Sequence, residues 1–331
     1  MNAAAEALLR AAKWQEFNQQ FGGAAVDLSN AELPGADLSF TRLVGANLDG
    51  ANLTGARFTS TDLRRSSLRG TRLDQARFSR ANLGQAKLVD IRADQVGFDQ
   101  STLIGAELTR VAGNRWTVKH STFRAARIDE LSLTDGHFET LNLREVTGTR
   151  LHLAGRIGNR IELAQSQLGQ IDWAIQAGDG LDLDEAQIGR FNAHKVLLRA
   201  LSLRGSQIKD FSFDEGGLME SEAQGSRIER LRITRSMFGR SFLRQTTVLA
   251  FDLGATDLME VAFDRCAFAK LDAENSHFID CRIARTTTTM GAQKGIFIAG
   301  RLEMEDSAGF SPVRQSTQLP KTRVFVDGVR V

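Results

Sequence analysis

The sequence predicts an all-β solenoid built from square coils, and three regularities predict it. Large apolar residues occupy every fifth position from Leu28 to Ile283, and the eight exceptions among these 52 positions are Ala or Gly. The residue two positions earlier is usually small. Residue types also recur every 20 residues. Internal repeats outrank other sequence signals, so these regularities decide the fold class.

The five-residue period fits neither a helix nor a continuous strand, whose side-chain periods are about 3.6 and 2. It is satisfied if the apolar residue and the residue two before it point inward along a short extended segment. The other three residues then face water. The chain must turn once per five residues, so four turns close a coil, and coils would stack at roughly 4.8 Å through backbone hydrogen bonds.

Side-chain size supports the 20-residue coil independently of the five-residue period. Phe58, Phe78 and Phe98 are spaced 20 residues apart, which predicts one stacked column of rings. Small residues at Ala93 and Gly113 each follow a large residue two positions before. This balance is expected in a close-packed interior of fixed cross-section.

Residues 45–58 carry the clearest motif, Gly-Ala-Asn-Leu-Asp-Gly-Ala-Asn-Leu-Thr-Gly-Ala-Arg-Phe. It resembles the A-(D/N)-L-x-x signature of the pentapeptide-repeat family. The resemblance covers residues 26–285, is most specific over 26–90 and stays in register afterwards. It implies a right-handed quadrilateral β-helix of about 13 coils, which would form a rod about 60 Å long.

A helix is predicted over residues 3–20, within an N-terminal segment of residues 1–25. Its apolar side is formed by Leu8, Leu9, Ala12, Phe17 and Phe21, and Gly22-Gly23 ends it. An open coil edge invites aggregation. We therefore interpret the helix as an N-terminal cap rather than a membrane anchor.

Residues 286–331 form a C-terminal tail in which the register ends at Thr286–Thr289. Two strands are predicted there, Ile296–Ile298 and Val324–Val326, separated by a polar stretch with Pro312 and Pro320, and Asp327-Gly328 predicts a turn. Two roles stay open. The tail either folds back over the last coil or adds Val324, Phe325 and Val326 as a strand to a partner's sheet.

Basic residues concentrate in residues 57–92, where nine Lys and Arg face three Asp. Arg57 and Arg77 lie one coil apart on one side, and Arg72 and Arg92 lie one coil apart on another. These four are candidate contacts to an anionic partner, and the alternative is an ordinary solvated face. Other charge clusters lie at 227–244 (basic) and at 179–185 and 210–222 (acidic).

One side of the coil is irregular near the middle of the chain. Gly158 and Gly178 take the apolar position in consecutive coils, and Arg156 and Gln176 stand where a buried residue is expected. Either this side bulges outward, or Arg156 turns to solvent and Ile157 replaces it inside. The irregularity either has no function or marks a partner contact by Arg156 and Gln176.

No set of residues points to catalysis. A filled apolar interior offers no ligand-sized pocket, and no nucleophile–base set, phosphate loop or pair of carboxylates stands out. Cys266 and Cys281 fall at inward positions and are predicted to be buried, inert thiols. The five histidines are scattered. We therefore expect no catalytic residue, no cofactor and no metal.

The best-supported function class is a non-enzymatic scaffold or adaptor that presents the faces of a β-helix to a protein partner. The resemblance implies two alternatives: an accessory or effector protein of a bacterial secretion system, type VI-like, and a DNA-mimicking protein that protects topoisomerases. Such DNA mimics are strongly acidic, whereas this chain has a net charge of +2. Family members that resemble ubiquitin ligases carry a C-terminal domain with an exposed Cys, and no Cys follows the repeat here.

No specific nucleic-acid binding is expected, because the Phe side chains point inward and the chain has no Tyr for base stacking. No membrane span is expected, because polar residues interrupt every apolar stretch. The first residues lack the features of a signal peptide. We expect a cytoplasmic location, or delivery by a secretion system. Open coil edges would allow an end-to-end dimer.

Overall fold

The computed structural model describes residues 2–290, 297–299, 301–305, 307, 323–326 and 329–330. It shows a parallel β-solenoid of about 12 turns preceded by two short helices, so the predicted fold class is confirmed. The turn number is lower than the 13 predicted from spacing alone, and regular pairing ends between Phe268 and Leu271. The chain divides into two compact units, Met1–Leu168 and Gly169–Val331.

The first unit contains both helices and the first eight strands. The helices are α1 (Ala3–Arg10) and α2 (Trp14–Phe21). The strands are β1 (Arg57–Thr59), β2 (Arg77–Ser79), β3 (Lys87–Arg92), β4 (Gly97–Asp99), β5 (Glu107–Asn114), β6 (Thr117–Thr122), β7 (Arg127–Asn142) and β8 (Thr147–Glu162). Strand β9 (Gln167–Asp182) spans the boundary.

The second unit contains the remaining strands. The first eleven are β10 (Gln187–His194), β11 (Leu197–Ser202), β12 (Gln207–Asp214), β13 (Gly217–Met219), β14 (Glu222–Gln224), β15 (Arg227–Thr234), β16 (Met237–Gly239), β17 (Phe242–Arg244), β18 (Thr247–Asp252), β19 (Asp257–Met259) and β20 (Ala262–Asp264). They are followed by β21 (Ala267–Asp272), β22 (His277–Ile279), β23 (Arg282–Ala284), β24 (Thr287–Met290), β25 (Phe297–Ala299), β26 (Arg301–Glu305), β27 (Arg323–Val326) and β28 (Val329–Arg330).

Each strand of a regular coil pairs in parallel with the strand 20 residues further on. Phe58 pairs with Phe78 in the first unit, and Leu218 pairs with Phe238 in the second. Parallel pairing at this spacing means that one coil contains 20 residues. The coil length predicted from residue recurrence is therefore confirmed.

Most corners of the coils share one local geometry. Residues with numbers ending in 0 or 5 adopt a positive φ at most corners, as Asn30 does at 57°. The N–H of Ala31 donates to the carbonyl of Leu28 at 3.1 Å, which closes a type II turn. Asp27 Oδ1 accepts the N–H of Ser29 at 3.0 Å. This contact explains why the repeat favours Asp or Asn before its apolar residue.

The interior of the first unit is filled as the register predicts. The rings of Phe58, Phe78 and Phe98 stack with centroids 4.5 and 4.7 Å apart, which confirms the predicted column. Gly113 leaves room for the indole of Trp116, because a Cβ at Gly113 would lie 2.0 Å from the indole nitrogen. That nitrogen donates to a backbone carbonyl of the previous coil at 2.6 Å. Small and large residues therefore compensate each other across the interior.

The N-terminal segment forms two helices, so the prediction of one helix over residues 3–20 is wrong. The chain breaks at Ala12, which has a φ of 53° and is exposed rather than on the apolar side. Leu9 of α1 and Phe17 of α2 are buried. The break is needed because the two helices contact different sides of the first coil.

Side chains of these helices bond to the outer edge of the first coil. The amide of Asn18 donates to the carbonyl of Phe40 at 2.8 Å and accepts the N–H of Arg42 at 2.7 Å. On another side, Glu6 Oε1 accepts the N–H of Glu32 at 3.2 Å. An open edge of a sheet presents unpaired backbone groups. The helices therefore supply hydrogen bonds that a preceding coil would otherwise supply.

The C-terminal strands extend the sheet. Strand β25 pairs with β22, and β26 pairs with β23. Strand β27 pairs in parallel with β26 and antiparallel with β28. The strand predicted at Val324–Val326 is confirmed, and so is the strand at Phe297–Ile298. The other features predicted for the tail lie outside the described residues: Ile296, Pro312, Pro320 and Asp327-Gly328.

Candidate interaction surfaces

The four arginines predicted to face an anionic partner are all exposed. Arg57 and Arg77 are paired neighbours on β1 and β2, so their backbones lie about 4.8 Å apart. Arg72 and Arg92 lie on the preceding side of the coil, in successive coils. The structure therefore places two arginine ladders on adjacent sides of the first unit rather than one patch.

None of these four guanidinium groups forms a hydrogen bond or an ion pair with another described residue. Other arginines of the same unit do form ion pairs, since Arg64 contacts Asp62 at 2.6 Å and Arg110 contacts Asp90 at 2.5 Å. Hydrogen bonds from these arginines hold the pKa of both carboxyls below its usual range. The charges of the two ladders are consequently not neutralised by the chain itself.

The basic cluster at 227–244 has a different environment. Arg230 bonds to Asp210, and Arg235 bonds to Asp214. Asp210 and Asp214 belong to the previous coil, so an acidic residue lies beside each of these arginines. Exposed ion pairs of this kind contribute little stability, typically below about 1 kcal/mol. They do cancel local charge, and this cluster is a weaker candidate for an anionic partner.

The irregular side of the first unit bulges, and the residue that turns inward is not the predicted Ile157. Strands β7 and β8 shift in register around Gly136. Arg156 and Ile157 are both exposed, and Gly155 is buried between them and the interior. Replacement of Arg156 by Ile157 inside the coil is therefore wrong. The reason is that the preceding small residue can fill the position without burying charge.

The second unit repeats this arrangement on its own first coil. Gln176 is exposed, and Ile175 before it is fully buried. Gly178 pairs with Leu198 on β11. An apolar residue therefore replaces the amide in the interior. A partner contact by Arg156 and Gln176 stays a prediction.

The tail residues Val324, Phe325 and Val326 belong to a strand that pairs within the chain. All three pair with β26 on one edge, and the last two pair with β28 on the other. Addition of this strand to a partner's sheet stays a prediction, and it would require β27 to leave its neighbours.

The two thiols lie in the interior of the second unit. Cys266 donates to the carbonyl of Leu243 at 3.1 Å, and Cys281 lies 3.6 Å from the carbonyl of Leu258. Burial raises the pKa of each thiol to about 11. Both thiols are therefore protonated at neutral pH, which makes them poor nucleophiles.

Metal and membrane features can be assessed only in the described part of the chain. There, no group of three or more His, Cys, Asp and Glu side chains is arranged to hold a metal ion. Neither α1 nor α2 has the length or apolar character that crossing a bilayer requires.

Sequence reasoning missed an apolar outer surface on the second unit. Five large apolar residues share one side of successive coils, and we call this surface the apolar side: Leu197, Met219, Met237, Met259 and Ile279. They flank the inward residues of β11, β13, β16, β19 and β22. The available signal was the 20-residue spacing of outward positions, which a search for inward residues does not examine.

Comparison with known proteins gives a family and a similar structure. A family model described as pentapeptide repeats matches residues 24–59 and 56–92 in eight copies. No curated protein matches the chain.

Among solved structures, the chain is similar to HetL, a pentapeptide repeat protein involved in heterocyst differentiation regulation from the cyanobacterium Nostoc sp. strain PCC 7120. The two share 15% sequence identity with a TM-score of 0.28, over 86% of this chain and 93% of that chain.

Proposed function

Over residues 24–92 this chain belongs to the pentapeptide-repeat family, and we propose that it is a non-enzymatic scaffold or adaptor that binds an acidic protein surface. One observation carries the proposal. Arg57, Arg72, Arg77 and Arg92 are exposed on regular coils and have no acidic partner among the described residues. The ladders are thus prearranged to meet carboxylates at coil spacing.

The rigidity of the coils supports this role. Backbone ladders on both sides of β2 hold Arg77 in place, and rigid presentation lowers the ordering cost of binding. A duplex nucleic acid is the competing anion. The first unit offers few aromatic side chains for stacking, since Phe58, Phe78 and Phe98 are buried. We therefore expect only weak, salt-sensitive contact with DNA and no protection of a topoisomerase.

We also propose a cytoplasmic location, which the unpaired thiols Cys266 and Cys281 support, because oxidising compartments favour disulfides. The identity of the captured partner distinguishes three settings. A secretion-system component would assign the chain to that apparatus as accessory protein or effector. A topoisomerase subunit would favour the DNA-mimic alternative, and another protein would favour a general adaptor.

The test is affinity capture with quantitative mass spectrometry on three forms of the full chain. The first is wild type, and the second replaces Arg57, Arg72, Arg77 and Arg92 with Glu. The third is a control with the same charge change at exposed basic residues elsewhere, Arg160, Arg190, Arg227 and Lys270, which form no ion pair among the described residues.

We expect the second form to lose at least about tenfold of the captured partner and the control to keep it, because only the ladders would contact the acidic surface. Capture by wild type should also fall as salt rises. Equal capture by all three forms would contradict the proposal. Submicromolar binding of duplex DNA by wild type at physiological salt would replace the protein partner with a nucleic acid.

A further inference from the structure

The apolar side of the second unit is an unusual surface for a chain whose other outward positions are polar. Leu197 is 46% exposed and Met237 is 44% exposed, while Met219, Met259 and Ile279 are half-buried. The strands that carry them pair in parallel without interruption from β11 to β22. A contiguous apolar surface on a water-soluble side of a sheet marks a binding surface.

Two glycines make the apolar side flat. A Cβ at Gly217 would lie 2.6 Å from Leu197 Cδ1, and a Cβ at Gly239 would lie 2.7 Å from Met219 Cε. The Leu and Met side chains therefore lie across the glycines of the neighbouring strand instead of projecting outward. A flat sheet surface can approach a second sheet to about 10 Å, the usual spacing of packed sheets.

Charged residues along one rim of the apolar side alternate in sign from coil to coil. The order is Arg199, Glu220, Arg240 and Glu260, all exposed. Within the chain, Arg199 lies 3.0 Å from Glu220, and Arg240 lies 3.5 Å from Glu220. An order of plus, minus, plus, minus becomes its own complement when it is reversed. A reversed second copy of the same rim would therefore match it charge for charge.

We propose that the apolar side binds the apolar side of a second copy of this chain in an isologous dimer. The two-fold axis runs along the strand direction, between the levels of Glu220 and Arg240. It brings Glu220 against Arg240 of the second copy and Arg199 against Glu260 of the second copy. An isologous contact of this kind closes on itself and produces dimers rather than filaments.

The same axis matches large residues with small ones. Met237 lies opposite Gly217 of the second copy, and Met219 lies opposite Gly239 of the second copy. Met side chains adapt to such irregular contacts because they are unbranched and polarisable. Size and charge thus give the same alignment by separate arguments.

The size of the surface sets the expected strength. Five strands span about 24 Å along the coil stack, and one side is about 10 Å wide. This is well below the roughly 800 Å² per partner of a standard interface, so the dimer should be weak. We expect the full chain to be monomeric near about 1 µM and substantially dimeric near about 300 µM, which corresponds to a dissociation constant of tens of micromolar.

Sedimentation velocity across this concentration range tests the proposal on folded full-length protein. Met237→Lys should weaken dimerisation at least about tenfold, because it places a charge in the contact. The matched control is Phe242→Lys, which changes a side chain that is 57% exposed on another side of the coil. This control should dimerise like wild type.

Charge exchange tests the alignment itself. Glu220→Arg and Arg240→Glu should each weaken self-association, because each places like charges across the two-fold axis. An equimolar mixture of the two variants should restore dimers, because both contacts across the axis become opposite in sign. Circular dichroism confirms that each variant keeps its β structure.

Three results would overturn the proposal. The first is wild type that stays monomeric at all concentrations, which would leave the surface to another partner. The second is association that Met237→Lys does not weaken, which would place the contact elsewhere, such as at the ends of the coils. The third is a failure of the charge-exchanged mixture to dimerise better than its components.

Discussion

Removal of one ring from the phenylalanine column is the sharpest test of how the first unit is packed. Phe78 is buried, and its ring lies 4.5 Å from that of Phe58 and 4.7 Å from that of Phe98, both at 9° between planes. Phe78→Ala deletes both stacked contacts. The space left behind cannot close easily, because β2 is hydrogen-bonded to β1 and β4 on its two edges.

The expected loss follows from this environment. Burial of a Phe side chain that is replaced by Ala costs about 3–5 kcal/mol in protein interiors. Each stacked aromatic pair accounts for about 0.5–1.5 kcal/mol beyond area burial. Because two pairs are lost and the site cannot collapse, we expect Phe78→Ala to lower the free energy of unfolding by about 4 kcal/mol or more.

Denaturant unfolding followed by circular dichroism measures this change, with Phe242→Ala as the matched control. Phe242 is exposed, so the same substitution there should change stability by less than about 0.5 kcal/mol. Repeat arrays can unfold in parts. Hydrogen exchange should therefore show the loss of protection concentrated in β1, β2 and β4. If Phe78→Ala unfolds within about 1 kcal/mol of wild type, the packing argument is refuted.

Three further predictions concern the register, a close approach and pH. Leu48→Asp buries an unpaired carboxylate at a fully buried position and should cost several kcal/mol in thermal or denaturant unfolding; a wild-type melt would contradict the inward register. Gly113→Val should cost about 3 kcal/mol or more, because a Cβ there meets the Trp indole and a backbone oxygen, and soluble yield with denaturant unfolding checks it. Hydrogen bonds from Arg64 lower the pKa of Asp62, so their stabilisation is present above about pH 4 and is lost as pH falls through the lowered pKa. Asp62→Asn keeps the turn contact, as Asn82 does one coil later, so it should be less stable than wild type by under about 1 kcal/mol at pH 7 and equal near pH 2; a constant difference across this range would contradict the electrostatic cause.

The repeat made the coils predictable, because every inward position is constrained by size and polarity alone. The phenylalanine column follows from that constraint. The break between the two helices does not, because Ala12 has no Gly or Pro signature and takes its conformation from contacts of the helices with the first coil. The buried Ile175 shows the same limit, since the choice between two neighbours depends on the local bulge.

Surfaces were less predictable than the interior. Whether an arginine is free or paired depends on a residue one coil away, as the contrast between Arg77 and Arg230 shows. The same holds for the apolar side, because Leu197 and Met237 are far apart in sequence and become neighbours of a common strand only in the stacked coils. Function on these surfaces is written across coils rather than along the chain.

The central claim, that free arginines on the first unit bind a protein partner, is tested most directly by arginine-selective labelling. The captured complex and the free chain are treated with phenylglyoxal, and modification of each arginine is quantified by mass spectrometry. We predict that Arg57, Arg72, Arg77 and Arg92 lose labelling in the complex, while Arg190 and Arg227 are labelled equally in both. Unchanged labelling of the four ladder arginines in the complex would contradict the account.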